Sequence, residues 1–230
     1  MKIAILGAMR EEIEPILAKV ENCKKIRYAN NDFYTATYNG LELVIAYSKI
    51  GKVFATLTAT IMIEKFGAEK LLFSGVAGAI NSDLKIGDLV IATALCQHDL
   101  DITAFGHPFG FVPEGDVCIN SDKKLLDIAR DVAKQKNIEL KEGIIATGDQ
   151  FIADVKRKFW IKDEFKAVAL EMEGGSVAVV SNALNIPFFI LRAISDSADD
   201  GAGVDFDEFL EKSSKVSADF LISMLDKLEQ

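Results

Sequence analysis

Short segments with strand character alternate with helical segments along most of the chain. Strand patterns are predicted at Lys2–Leu6, Phe33–Thr37, Leu41–Ser48, Lys70–Ser74, Asp88–Ala94, Glu142–Thr147, Ala167–Glu171 and Phe188–Ile194. Helical patterns are predicted at Glu11–Val20, Lys52–Phe66, Asp122–Gln135, Val155–Trp160, Gly174–Leu184 and Phe206–Leu228. This alternation predicts an α/β fold in which a mixed, mainly parallel sheet is covered by helices on both faces.

The organisation of the chain favours a single domain. Its 230 residues contain no internal repeat, no low-complexity tract and no linker rich in proline or serine. One domain covering residues 1–230 is therefore expected. Within it, Asn39-Gly40 is a strong signal for a hairpin turn between two adjacent strands.

Composition excludes several classes of partner. With 26 Lys and Arg against 35 Asp and Glu, the net charge is -9, and the basic residues form no stripe that would bind a nucleic-acid backbone. No signal-peptide pattern and no apolar stretch of membrane-spanning length is present, so a cytoplasmic protein without membrane contact is expected. Cys23, Cys96 and Cys118 are odd in number and widely spaced, which favours reduced thiols over disulfides or a zinc site.

Two segments carry more apolar surface than a free loop or a solvated helix would. The helix predicted at Lys52–Phe66 is apolar or hydroxylated on nearly every face up to Glu64, so it is deeply packed or lies in a subunit interface. The loop DITAFGHPFGFVPEG places Phe105, Phe109 and Phe111 among glycines and prolines. These rings must pack on the chain's own core or across a dimer, and composition favours neither.

Three acidic residues follow apolar runs that have the character of buried strands. Glu12, Glu173 and Asp196 come after KIAILGAM, KAVALEM and PFFILRAIS. In α/β sheets, ligands bind outside the carboxyl ends of strands, so these carboxylates can converge on one small molecule. Each also has a structural explanation: the glutamates open helices, where acids are favoured, and Asp196 can pair with Arg192 on the same strand. The threefold recurrence favours a site.

Two further motifs carry weaker signals. The segment FSGVAGAI is predicted to end a strand, where Gly75 and Gly78 permit a tight turn and a close approach of a ligand. It is not G-x-G-x-x-G and lacks a Walker lysine, so dinucleotide and triphosphate sites are not favoured. His98, Asp99 and Asp101 crowd into QHDLD without a matching distant set, so no metal site is predicted.

Seven motifs, in chain order, resemble those of bacterial 5′-methylthioadenosine/S-adenosylhomocysteine nucleosidases. They are KIAILGAMREEI, SKIGKV, FSGVAGAI, TAFG, GDQFI, ALEMEGGS and RAISDSAD running on to FDEFL. The SGVAG, QHDLD and GDQF motifs are also similar to a branch that cleaves 6-amino-6-deoxyfutalosine on the menaquinone route. The resemblance covers essentially the whole chain. It implies the purine nucleoside phosphorylase fold, a three-layer α/β/α sandwich, and a cofactor-free homodimer.

The resemblance also implies an activity: hydrolysis of the N-ribosidic bond of 5′-methylthioadenosine, S-adenosylhomocysteine and related adenine nucleosides in methionine salvage. Glu12 would activate the attacking water with help from Arg192, Asp196 would protonate adenine N7, and Glu173 would bind the ribose hydroxyls. The substrate pocket would be formed by Met9, Ile50, Val76, Gly78, Phe151, Ile152, Met172 and Phe206, with Phe105 and Pro113 reaching it from the partner subunit. Val76 departs from the family, in which many members carry a serine, and tuned specificity is expected.

Two other functions fit the same fold. A phosphorylase would use phosphate in place of water, but Arg10 is followed at once by Glu11 and Glu12, an acidic neighbourhood hostile to an anion. A non-catalytic nucleoside-binding module would not need the acid, the base and the sugar-binding carboxylate together. Hydrolysis is therefore the predicted function.

Overall fold

The computed structural model describes residues 1–198 and 202–228. Its strands are β1 (Lys2–Gly7), β2 (Glu21–Tyr28), β3 (Asn31–Tyr38), β4 (Leu41–Tyr47), β5 (Lys70–Ala79), β6 (Leu89–Gln97), β7 (Cys118–Asn120), β8 (Leu140–Thr147), β9 (Ala167–Glu171) and β10 (Phe188–Asp196). Its α-helices are α1 (Arg10–Leu17), α2 (Lys52–Glu64), α3 (Lys123–Lys136), α4 (Val155–Phe165), α5 (Gly174–Ala183) and α6 (Ala202–Leu228). A short 3-10 helix spans Thr103–Phe105.

The strands form one mixed sheet. β1 lies between β4 and β5 and is parallel to both, and β5 is also parallel to β10. β10 pairs with β6, β6 with β8, β8 with β9, and β9 returns to β5, so these five strands close into a ring. Beyond β1, the antiparallel strands β4, β3 and β2 extend the sheet to an open edge.

Helices cover both faces of the sheet. Ala4 and Leu6 of β1 belong to a buried cluster that includes residues of α2 and α5. Ile3 and Ile5 of the same strand belong to a second cluster, with residues of α1, α3 and α6. Because successive side chains of a strand point to opposite faces, this alternation shows an apolar layer on each side of the sheet.

The predicted strands and helices are all present, and the hairpin is confirmed. Tyr38 pairs with Leu41 across the turn, and φ is 44° at Asn39 and 82° at Gly40. Positive φ at both central residues is the requirement of a type I′ turn, which Asn-Gly satisfies.

Three strand predictions need correction. β5 extends to Ala79 instead of ending at Ser74, so Gly75 and Gly78 lie inside a strand and not in a turn. β2 was missed because all eight of its residues are exposed, which leaves no apolar alternation to detect. β7 was missed because it is only three residues long.

Apolar surface stays uncovered in the single chain at two places. Helix α2 packs one face inward, whereas Val53 is 75%, Phe54 44% and Leu57 45% exposed. In the aromatic loop, Phe109 packs edge-on against Trp160, and Phe105 is 81% exposed. Each of the two segments is therefore only partly covered by the chain's own core.

The cysteines are free, and Cys96 lies opposite Cys118 where β6 pairs with β7. Across residues 1–198 and 202–228, no helix combines the length and apolar character that crossing a bilayer requires.

Candidate active site

A cavity of about 430 Å³ opens at the carboxyl ends of β1, β5, β9 and β10. It brings together eleven of the residues singled out from sequence: Glu12, Glu173, Asp196, Met9, Ile50, Val76, Gly78, Phe151, Ile152, Met172 and Phe206. The strand alternation of ALEMEGG also places Glu171 on the same side as Glu173, and Glu171 lines the cavity too. The other lining residues carry no signal in the sequence; they are Ala8, Ala77, Gln150, Leu170, Ser195, Ala198 and Gly203. Four carboxylates therefore meet in one otherwise largely apolar pocket.

Glu12 lies in the first turn of α1 and is held by three backbone amides. The N–H groups of Ala8 and Met9 donate to its Oε2 at 2.5 and 3.0 Å, and that of Val76 donates to Oε1 at 3.1 Å. The side chain is buried. Burial raises the pKa of Glu12 above its usual value, against the opposing effects of the Arg192 charge and these amides. A carboxylate so placed is fixed in position and is a stronger base than an exposed glutamate.

Glu173 precedes α5 and binds the segment that begins α2. Its Oε1 accepts a hydrogen bond from the Gly51 N–H at 2.9 Å. Burial, and then the nearby charge of Glu171, raise the pKa of Glu173 to about 8. The raised pKa favours the protonated form of Glu173, which can both donate and accept hydrogen bonds.

Asp196 ends β10, where its carboxylate is oriented by neighbours. The Ala198 N–H donates to Oδ1 at 2.8 Å, and the Ser195 hydroxyl donates to Oδ2 at 2.9 Å. A Cβ atom on Gly78 would lie 2.6 Å from Asp196 Oδ1. Position 78 is therefore open to this carboxylate only because it is glycine.

Arg192 lies beneath the cavity and does not line it. Its buried guanidinium donates to Glu171 Oε2 at 2.7 Å and packs over the Phe73 ring at 4.0 Å. The strand pattern left open an ion pair between Arg192 and Asp196, but the ion pair that Arg192 makes is with Glu171. That carboxylate also accepts a hydrogen bond from the Thr147 hydroxyl. Glu171 thus anchors the guanidinium whose charge opposes the rise in the pKa of both Glu12 and Glu173.

Phe105, Pro113 and the QHDLD residues lie elsewhere. Phe105 and Pro113 are exposed and do not line the cavity of their own chain. His98 is buried, and Asp99 pairs with Lys52 at 2.7 Å. Within the described part of the chain, no group of three or more His, Cys, Asp or Glu residues is arranged to hold a metal ion.

Gly75→Ala is expected to lower kcat for the nucleoside hydrolysis that the motifs imply by about 10²-fold, because misplacing a reacting group by about 1 Å has effects of that size. The new Cβ would lie 2.7 Å from Glu12 Oε1, and three backbone amides hold that carboxylate in place. Steady-state kinetics at a temperature well below the melting point would measure the loss. A kcat within threefold of the wild type would contradict this account of Gly75.

The raised pKa of Glu173 predicts a pH dependence of stability. Protonated Glu173 favours the folded state, and this contribution is lost as pH rises from the unfolded value near 4.5 to the folded value of about 8. We expect the melting temperature of the ligand-free protein to fall between pH 6.5 and 8.5 more steeply than that of Glu173→Gln. His98, whose pKa burial lowers to about 4, acts below this range. Parallel curves for the two proteins would refute the assignment.

Comparisons with known proteins agree with this geometry. Residues 2–226 match the phosphorylase superfamily. An aminodeoxyfutalosine nucleosidase of Campylobacter jejuni is 59% identical over 228 residues, which cover 99% of this chain and 100% of that protein. Two solved Helicobacter pylori structures each have 52% identity and a TM-score of 0.97, covering 99% of this chain and 98% of theirs. One is a futalosine hydrolase, and the other is a 5′-methylthioadenosine/S-adenosylhomocysteine nucleosidase with butyl-thio-DADMe-Immucillin-A.

These matches confirm both the resemblance found in the motifs and the predicted α/β sandwich. Because the agreement spans almost the full length of the chain and of its relatives, the chain belongs to the phosphorylase superfamily, within the family of aminodeoxyfutalosine and 5′-methylthioadenosine/S-adenosylhomocysteine nucleosidases.

Proposed function

We propose that the chain, acting as one nucleosidase domain, hydrolyses the N-ribosidic bond of adenine nucleosides with varied 5′ substituents. The substrates are 5′-methylthioadenosine, S-adenosylhomocysteine, 5′-deoxyadenosine and 6-amino-6-deoxyfutalosine. The observation that carries the proposal is the presence of Glu12 and Asp196 in one cavity, each fixed by hydrogen bonds. Nucleosidase relatives at 59% and 52% identity support it.

The reaction needs an acid on the base side and a base on the sugar side. Breaking the C1′–N9 bond builds positive charge on the ribose and negative charge on adenine. Asp196 donates its proton to N7, so adenine leaves neutral. Glu12 accepts a proton from water, and the water oxygen bonds to C1′. Glu173 binds the ribose hydroxyls, and its carboxylate form stabilises the positive sugar.

The charge of the cavity favours water over phosphate as the nucleophile. Its described lining includes no lysine or arginine, whereas Glu12, Glu171, Glu173 and Asp196 all contribute carboxyl groups. Arg192, a buried cation beneath the cavity, is bound to Glu171. A phosphate dianion would meet several acidic groups and no free cation in this lining, which strongly opposes its binding.

The test is adenine release from the four nucleosides, each assayed with and without phosphate. We expect adenine and the free 5′-substituted ribose from at least one nucleoside, at a rate that does not depend on phosphate. Formation of ribose 1-phosphate would instead establish a phosphorylase. Binding without release of adenine from any of the four would establish a non-catalytic module.

We further propose that the active form is a homodimer in which Phe105 and Pro113 complete the partner's cavity near the 5′ substituent. The exposed apolar side chains of α2 and the 81% exposure of Phe105 support this. Phe105→Ala should raise the KM for 5′-methylthioadenosine about tenfold, since burying a Phe side chain is worth about 1.5–3 kcal/mol. Tyr28→Ala, an exposed aromatic on β2, serves as the control. Unchanged sedimentation together with unchanged KM for Phe105→Ala would refute the proposal.

A further inference from the structure

A small polar cluster lies outside the cavity, next to the loop that carries Phe151 and Ile152. The Lys52 ammonium donates to Asp99 Oδ1 at 2.7 Å. The other oxygen of Asp99 accepts the N–H of Asp149 at 2.8 Å. Asp149 Oδ1 in turn accepts the Lys52 N–H at 2.7 Å. These three residues form a closed circuit of hydrogen bonds, here called the brace, and none of them lines the cavity.

The brace connects two parts of the site that are distant in sequence. Asp149 lies two residues before Phe151, which lines the cavity. Lys52 begins α2 and follows Gly51, whose N–H binds Glu173 Oε1 at 2.9 Å. Gly51 has φ +103°, so this turn takes a backbone shape that other residues rarely adopt. The position of the loop at residues 149–152 is thereby tied to the position of Glu173.

The brace is built of charge-assisted hydrogen bonds, of which the ion pair is partly buried, whereas Asp149 is exposed. The side chains of Lys52 and Asp99 are 19% and 14% exposed. Although burial opposes it, the bonds from Lys52 and the Asp149 amide lower the pKa of Asp99, which keeps it ionised. Hydrogen bonds between charged groups are roughly twice as strong as neutral ones. Removing one partner leaves the other charge poorly compensated, so loss of either side chain should loosen the loop.

The start of the loop at residues 149–152 is also held by contacts outside the brace. The imidazole of buried His98 occupies the space where a side chain at Gly148 would project. Arg157 of α4 donates a hydrogen bond to the His98 carbonyl oxygen at 3.0 Å, which helps to hold His98 in place. The loop is thus supported by His98 beneath Gly148 and by the brace at Asp149.

We propose that Lys52, Asp99 and Asp149 are positioning residues that set the distance between the ribose-binding Glu173 and the loop at residues 149–152, in which Phe151 and Ile152 line the cavity and contact the base. This inference rests on the proposed nucleosidase function. The brace affects the affinity for adenine and takes no part in the proton transfers at Glu12 and Asp196.

The experiment compares Asp99→Asn and Lys52→Met with the wild type. In each variant the KM for 5′-methylthioadenosine and the inhibition constant of adenine should both rise about tenfold, while kcat falls less than threefold. Lys52→Arg keeps the charge and the donors and should stay within threefold of wild type on both constants. The double variant should be no worse than either single one, because both remove the same ion pair.

The control is Asp32→Asn. Asp32 pairs with Lys25 at 2.6 Å and its side chain is 13% exposed, a close match to Asp99, but it lies on the β2–β3 hairpin. It should leave both constants unchanged. Should Asp99→Asn fail to fold, Asp149→Ala and Lys52→Met carry the same comparison, since the first removes the acceptor of the Lys52 N–H and the second removes the ion pair with Asp99.

The inference is overturned if the brace variants keep KM and the adenine inhibition constant within twofold of wild type. A lowered melting temperature with unchanged constants also overturns it, because the brace would then be merely structural. Failure of the proposed function looks different, since wild-type protein itself would then release no adenine from any nucleoside.

Discussion

The Glu12→Gln variant is expected to bind 5′-methylthioadenosine yet release adenine roughly 10²–10⁴-fold more slowly than the wild type, the usual contribution of a general base. Glutamine keeps the shape of the side chain but cannot accept the proton of the attacking water. Single-turnover adenine release would measure the chemical step, and equilibrium binding would measure affinity separately. The defect should appear in the rate of release and not in binding.

The Glu12→Gln variant also changes the hydrogen bonds that hold this side chain, so the experiment needs a control for stability. Three N–H groups, from Ala8, Met9 and Val76, point at the carboxylate, and the amide NH₂ of glutamine will oppose at least one of them. An unpaired buried donor costs about 1–3 kcal/mol, so a lower melting temperature is expected as well. Glu11→Gln, an exposed neighbour in the same helical turn, should keep wild-type kcat. A kcat for Glu12→Gln within tenfold of wild type would show that Glu12 is not the base.

Asp196→Asn is expected to lower kcat by a similar factor, about 10²–10⁴-fold, because the asparagine amide cannot deliver a proton to N7. Its carbonyl oxygen can still accept the Ala198 N–H that now binds Oδ1. The variant should therefore keep its fold and its affinity for adenine nucleosides. Rapid-quench measurement of adenine release would give the size of the effect.

A nucleoside without N7 supplies the matching chemical test of Asp196. The 7-deaza analogue of 5′-methylthioadenosine has no atom for Asp196 to protonate, so the wild type should cleave it as slowly as the variant does. Asp196→Asn should then cause no additional loss with this analogue. An equal loss for the normal nucleoside and for the analogue would mean that Asp196 acts by some route other than protonation of N7.

Sequence alone located the three carboxylates because each is tied to a local pattern. Glu12 and Asp196 follow β1 and β10, which are both parallel to β5, and parallel strands present their carboxyl ends at one edge. Glu173 follows β9, which is antiparallel to β5 and pairs with its end at Gly78 and Ala79. The ion pair between Arg192 and Glu171 could not be predicted from local patterns. Glu171 is on β9 and Arg192 on β10, and the two meet only when the ring of strands closes.

The errors in strand prediction have physical causes too. Gly75 and Gly78 weaken the local preference for a strand, so the pattern ends at Ser74. In the folded chain β10 pairs with β5 along its length and β9 pairs with its end at Gly78, and these ladders extend β5 to Ala79. For β2 the cause is exposure on both faces, which removes the burial signal on which periodicity depends.

The two glycines of β5 have a consequence for how this enzyme can diversify. The carboxylates of Glu12 and Asp196 each occupy the space beside one of them, and Gly75 and Gly78 are three residues apart, about 10 Å at the usual rise of a strand. The spacing of the two carboxylates is therefore set by the backbone of a single strand, β5, and substitutions in the surrounding loops do not change the length of that strand. Changes of substrate preference are therefore expected from substitutions among the other residues that line the cavity.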